Sequence, residues 1–207
     1  MIISNSTRTS RATFDTTEQA NWSEAGAQLS DFGITPDDSG LYAWTINPIA
    51  AIANLAVMLS GRVLLTKMKW TRTRTVGSLY YYLAVAGSGL TAGQNFVGLY
   101  SGAGARLATS PDVSTDFASS GLKVATLAAP VSIPADPTGY IYFALLPVGT
   151  TPPTPRGLNP GPSIIHAGNT GSLHCFFDTT TGNTSLPATI TPTTGTTTNP
   201  MYGSVGP

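Results

Sequence analysis

The chain has 207 residues and a mass of 21.4 kDa, the size of one domain. Only 10% of its residues are charged, with two Glu and three Lys in the whole chain, so a helical bundle, whose solvent face needs Glu, Lys and Arg, is excluded. Ten basic and ten acidic residues cancel to a formal net charge of zero, which gives no overall electrostatic footprint for nucleic acid or an anionic membrane surface.

A surface of Thr, Ser, Asn and Gly with so few charges does little to keep copies apart, which suits a subunit of a larger assembly. The single cysteine, Cys175, allows no internal disulfide and no multi-cysteine metal cluster. The expectation is synthesis in a reducing cytoplasm without a signal peptide, because Met1-Ile2-Ile3-Ser4-Asn5-Ser6 lacks a basic start and an apolar run. The most apolar stretch, residues 46–59, carries Asn47, Pro48 and Asn54 and falls short of the roughly 20 residues that span a bilayer. It reads as core, with no membrane insertion.

Residues 1–40 form a docking arm set apart by composition, and residues 41–207 a β-sandwich domain. Within the arm, residues 15–29 predict a short helix capped by Asp15 or Thr16, with Trp22, Ala25 and Leu29 on one stripe. A helix of that length must dock to be stable. From residue 41 the pattern turns to period two, with apolar runs divided by Gly, Pro, Asn and Ser about every ten residues, the signal of a sandwich or barrel. In residues 63–70, Leu64, Met68 and Trp70 fall on one face and Lys67 and Lys69 on the other.

Further strands are predicted over 78–86, 94–100, 105–109, 122–127, 138–146, 172–177 and 186–190, with the turn Ser101-Gly102-Ala103-Gly104 joining 94–100 to 105–109. Between them, 110–118 predicts a helical turn capped by Ser110, with Pro111 at its first position, Asp112 at the positive end of the dipole and Gly121 as its stop. Five prolines in 150–162 predict a stiff extended loop. Seven threonines in 189–198 suggest disorder by composition, although β-branched Thr also suits an exposed strand.

No constellation of catalytic residues emerges. The only imidazoles are His166 and His174, and His174 neighbours Cys175, so on a strand the two point to opposite faces. The acids Asp37, Asp38, Asp112 and Asp136 sit in turns or helix starts, where capping explains them better than a glycosidase pair. Gly87, Gly89 and Gly93 miss the dinucleotide spacing, and neither the histidines nor the Asp37-Asp38-Ser39-Gly40 run has a metal-ligand pattern. No cofactor and no metal are expected. The remaining candidates are aromatic, since apolar sugar faces stack on flat rings with one solvated face. Trp22 and Trp44, near turns, are the rings placed to present such a surface.

The run Gly87-Ser88-Gly89-Leu90-Thr91-Ala92-Gly93-Gln94-Asn95-Phe96-Val97-Gly98-Leu99-Tyr100, followed by Gly104-Ala105-Arg106-Leu107-Ala108-Thr109-Ser110-Pro111-Asp112 and by the strand Tyr140-Ile141-Tyr142-Phe143-Ala144-Leu145-Leu146, resembles minor tail and other virion proteins of actinobacterial phages. The resemblance covers residues 41–190. It implies a jelly-roll-like antiparallel β-sandwich, non-enzymatic, carried on a phage tail as the surface-facing module of a fibre or tip, and it transfers no binding residue. The chain lacks the collagen-like repeat, heptad run and peptidase segment of longer tail proteins.

The expectations are then an all-β fold, a jelly-roll-like sandwich with a short N-terminal helical or extended arm. The leading function is a virion protein made in the host cytoplasm, a minor tail protein that attaches to a host-surface glycan. Its partners would be other virion proteins and its own copies as a homotrimer, with no nucleic acid. The alternative is a capsid decoration or head spike protein bound to capsid subunits. A free carbohydrate-active enzyme or carbohydrate-binding module is opposed by the missing acid pair and the missing signal.

Overall fold

The computed structural model describes residues 34–159, 161 and 171–207. The predicted helix over 15–29, Trp22, His166 and nearly all of the predicted arm lie outside them. The described chain is an antiparallel β-sandwich of fourteen strands: β1 (Ala43–Trp44), β2 (Ala53–Asn54), β3 (Leu64–Lys69), β4 (Arg74–Val85), β5 (Ser88–Leu90), β6 (Phe96–Ser101), β7 (Arg106–Thr109), β8 (Gly121–Ile133), β9 (Tyr140–Leu146), β10 (Gly149–Thr151), β11 (Thr154–Gly157), β12 (Cys175–Phe177), β13 (Thr196–Thr197) and β14 (Gly203–Gly206). One helical turn, α1 (Ser114–Phe117), joins β7 to β8.

In the first sheet β4 is central, with β8 on one side and β14 and β11 dividing the other, carrying β1 and β2 beyond them. The second sheet runs β13-β12-β3-β9-β6-β7, and β5 pairs with β10 as a separate ribbon. Apart from the consecutive pairs β6–β7 and β12–β13, neighbours in space are distant in sequence; β1, at the start of the sandwich, pairs with β14 at its end.

Alternation explains which residues fill the space between the sheets. Leu79, Tyr81 and Leu83 of β4 face Leu64 and Met68 of β3 and Ile141, Phe143 and Leu145 of β9, all buried in one cluster with Trp70. The other face of the second sheet is also covered. Leu65, Tyr100, Tyr142, Ala144 and Phe176 bury against Leu186 and Ile190 of the segment that precedes β13. Buried phenols pin the covering chain: Tyr100 donates to the Pro187 carbonyl of that segment, and Tyr142 to the Leu173 carbonyl ahead of β12, each at 2.8 Å. A sheet buried on both faces accounts for the unbroken apolar run of β9.

Several expectations change. Residues 186–190 form no strand, because Pro187 and Pro192 remove donors and only the bridge Ala105↔Thr189 remains. Residues 46–59 are core only in part: Met58 is buried in the main cluster and Leu55 packs against it, but the stretch forms a 3-10 turn at Pro48–Ala50 and the edge strand β2, leaving Ile49, Ile52, Val57 and Leu59 exposed, Ile52 at 73%. The proline-rich stretch is no plain loop. It contains β10 and β11, in which the carbonyls of Pro153 and Pro155 still accept hydrogen bonds from Met58 and Leu55. The threonine-rich end is held in place and carries β13, both of whose residues are exposed, as β-branched residues allow.

The helical turn also starts later than predicted. Its cap position is Val113, and Ser110 instead accepts a hydrogen bond from the Val97 N–H across the β6–β7 hairpin. Gly121 opens β8 rather than closing the turn.

Two glycines are required by the packing. Gly104, at the predicted hairpin turn, has φ +94° and lies against the Ile190 carbonyl, so no side chain fits. Gly203 of β14 packs on the Phe143 ring of the opposite sheet, and a Cβ there would stand 2.6 Å from the ring. Gly203→Ala is expected to destabilise by about 1–3 kcal/mol through overpacking, read as a lower urea midpoint with unchanged m-value.

Candidate functional site

A cavity of about 890 Å³ opens at the end of the sandwich. The outer face of β3 passes from Leu65, which is covered, to Lys67 and Lys69, which line this cavity. The chain then turns through Thr71 and re-enters β4 with Arg72 and Arg74, also in the wall. Tyr42, just ahead of β1, and Trp44 of β1 close one side, and Tyr140, paired in register with Lys69, closes the other.

Half of the Lys and Arg residues among the described residues therefore meet in one cavity, against one acidic lining residue, Asp37. A chain with zero net charge holds a local electropositive site. Aromatic rings fix two of the four cations. Lys67 Nζ stands 4.0 Å from the Tyr140 ring centre and donates to the Ser172 carbonyl at 2.9 Å, and the Arg74 guanidinium lies 5.1 Å from the Tyr42 ring centre. Tyr140 is oriented in turn by a 2.5 Å hydrogen bond with the Ser172 hydroxyl. That bond, with the Lys67 charge beside it, holds the Tyr140 phenol below its usual range. Lys69 and Arg72 are exposed, and among the described residues no carboxylate engages them.

Trp44 is in this wall but only 9% exposed, and its neighbours hold it as a packed strand residue. A ring so far buried presents little surface for stacking. Trp22 lies outside the described residues. Sequence reasoning assigned Lys67 and Lys69 to a plain solvent face and missed Arg72, Arg74, Tyr42 and Tyr140. A signal existed: four of the ten basic residues fall within the eight positions 67–74.

The groups considered for catalysis have structural employment. Cys175 is buried, donates its thiol to the Thr198 carbonyl at 2.5 Å and is pushed up to about 12 by that burial, so it is no thiolate at neutral pH. His174 is half-buried rather than exposed, and its backbone carbonyl accepts from the Lys67 N–H. Asp38 accepts from the Thr35 N–H and hydroxyl. Asp112 accepts from the Asn95 N–H and the Ser114 hydroxyl. Asp136 accepts from the N–H of Gly102 and from the N–H and hydroxyl of Thr138. Among the described residues no three His, Cys, Asp or Glu side chains cluster as metal ligands would.

These acids make a pH prediction. Partial burial would raise Asp136, but hydrogen bonds from Thr138 and Gly102 outweigh it and hold the carboxyl below its ordinary 3.8. A folded value below the unfolded one adds stability that is fully present above the unfolded value and lost as pH falls through the folded one. Thermal melts from pH 5 to 2 are expected to show a steeper acid decline for the native chain than for Asp136→Asn.

A second, smaller cavity of about 380 Å³ is lined by Pro48, Ala51, Tyr82, Leu122, Arg156 and Tyr202. It adjoins an apolar surface in which Ile49, Ile52, Leu122 and Val124 are all exposed, on the outer side of the β4–β8 pair. Along its length β8 pairs only with β4 among the described residues, so its other edge carries unpaired backbone groups. No helix of the described residues is long and apolar enough to cross a membrane. The chain matches no protein-family model and no curated protein sequence.

Proposed function

We propose that the chain is a phage virion structural protein, a minor tail protein whose sandwich is displayed for attachment to a glycan of the host cell surface. The observation that carries this reading is the open cavity at the end of the sandwich, where Tyr42, Tyr140 and four cations surround a space large enough for a short oligosaccharide. The rigid, charge-poor sandwich around it suits a display module. The resemblance of residues 41–190 to actinobacterial phage tail proteins supports the virion setting.

The exposed apolar surface around Ile52, Leu122 and Val124, with the open edge of β8, supports seating on other virion proteins and self-association as a homotrimer. Light scattering after size exclusion is expected to give three times the chain mass; a monomer at high concentration contradicts the trimer. The same surface favours a second reading, a capsid decoration or head spike protein that uses it to sit on capsid subunits.

The test is adsorption. Purified full chain is expected to bind host cells saturably and to reduce adsorption of the cognate phage. Failure to bind host cells, or binding with no effect on adsorption, contradicts the attachment reading.

A further inference from the structure

We propose that the cavity at the end of the sandwich binds an acidic saccharide, one whose sugar units bear phosphate or carboxylate groups. The inference rests on the attachment reading and specifies the class of glycan that the site would take.

Four cations converge there from two strands and the turn between them, with a single acidic residue in the wall. Like charges brought together with no carboxylate partner among the described residues repel one another, and a bound anion relieves that repulsion. Their arrangement divides the work. Lys67 and Arg74 are held against the wall by the Tyr140 and Tyr42 rings, which preorganises part of the positive field. Lys69 and Arg72 stand exposed at the mouth, where they can form charge-assisted hydrogen bonds with anionic oxygens. Thr71 adds an exposed hydroxyl-bearing side chain suited to sugar hydroxyls.

Nucleic acid fits less well. Stacking of bases needs open ring faces, whereas Trp44 is packed and the Tyr42 and Tyr140 rings each have a cation over a face. The chain's zero net charge also gives no extended field to track a phosphate backbone.

The experiment is titration calorimetry of the full chain with matched saccharides: oligogalacturonate against its methyl ester for the carboxylate, phosphorylated mannan against neutral mannan for the phosphate, and a single-stranded oligonucleotide as a generic polyanion. The expected result is at least one acidic form binding about tenfold tighter than its neutral counterpart, weakening as salt rises. The arm that responds identifies the anionic group. The double variant K69Q/R72Q is expected to lose that preference with an unchanged melting temperature, since both side chains are exposed, whereas Lys123→Gln, on β8, keeps it.

Equal binding of acidic and neutral forms, oligonucleotide binding as tight as the acidic saccharide, or full preference in K69Q/R72Q overturns the proposal. Host-cell binding that persists in K69Q/R72Q leaves attachment standing and removes this site. Saccharide binding by a chain that neither binds host cells nor blocks adsorption does the reverse.

Discussion

Asn95→Ala is expected to destabilise the sandwich by about 3 kcal/mol or more, because its side chain is a fully buried hydrogen-bonding hub. The amide nitrogen donates to the Thr91 carbonyl at 2.7 Å and to the Ser114 hydroxyl at 2.8 Å, and the amide oxygen accepts from the Val148 N–H at 2.8 Å. Truncation leaves the Val148 N–H without its acceptor, at roughly 1–3 kcal/mol for a buried group, and removes one hydrogen bond each from the Thr91 carbonyl, which keeps the Gln94 N–H, and the Ser114 hydroxyl, which keeps Asp112. One residue thus ties the start of β6, the α1 turn and the loop after β9. Asn95→Asp tests the account further: it keeps the acceptor for Val148 but places a second carboxylate beside Asp112, whose Oδ1 already receives the Asn95 N–H. Its stability deficit is expected to shrink as pH falls through the carboxylate range. Urea titration at pH 7 and pH 4 measures both effects.

Phe143→Ala is expected to cost about 3–5 kcal/mol. Phe143 sits in the middle of β9, fully buried between the sheets, with Gly203 of the opposite sheet packed directly on its ring. The glycine leaves no side chain to collapse into the space, so the cavity created by truncation stays open and the cost falls at the upper end for a large-to-small change. Combining Phe143→Ala with Gly203→Ala is expected to recover part of the loss, since the two residues share one volume and their effects are not additive. Additive losses in the double variant would contradict the close approach of β14 and β9.

Both positions illustrate what local pattern conveys. The alternation of Leu64, Met68 and Trp70 was legible because β3 has one face on the main core, and the Ser101–Gly104 turn was legible from its glycines. Residues 46–59 read as core on hydrophobicity alone, yet only Met58 is buried in the main cluster, and Ile52 at the sheet edge is the most exposed large apolar side chain among the described residues. Burial there depends on which strand closes the sheet, and that pairing is set by residues a hundred positions away, as in Arg156↔Asn54. The role of Asn95 was hidden for the same reason, since its partners span residues 91 to 148.

The candidate site was legible in part. Period two placed Lys67 and Lys69 away from Met68, and that separation holds. The enclosure was not legible, because Tyr42 arrives from just ahead of β1 and Tyr140 from β9, and only the sheet topology brings them around residues 67–74. Trp44 drew attention as a ring near a turn, but it lies in β1, paired with β14, and is 9% exposed.

The most direct measurement of the central claim is immunogold labelling of intact phage particles with antibodies raised against the full chain, viewed by electron microscopy. The attachment reading predicts gold confined to the tail tip or fibres. Gold distributed over the head would contradict it and assign the protein to capsid decoration.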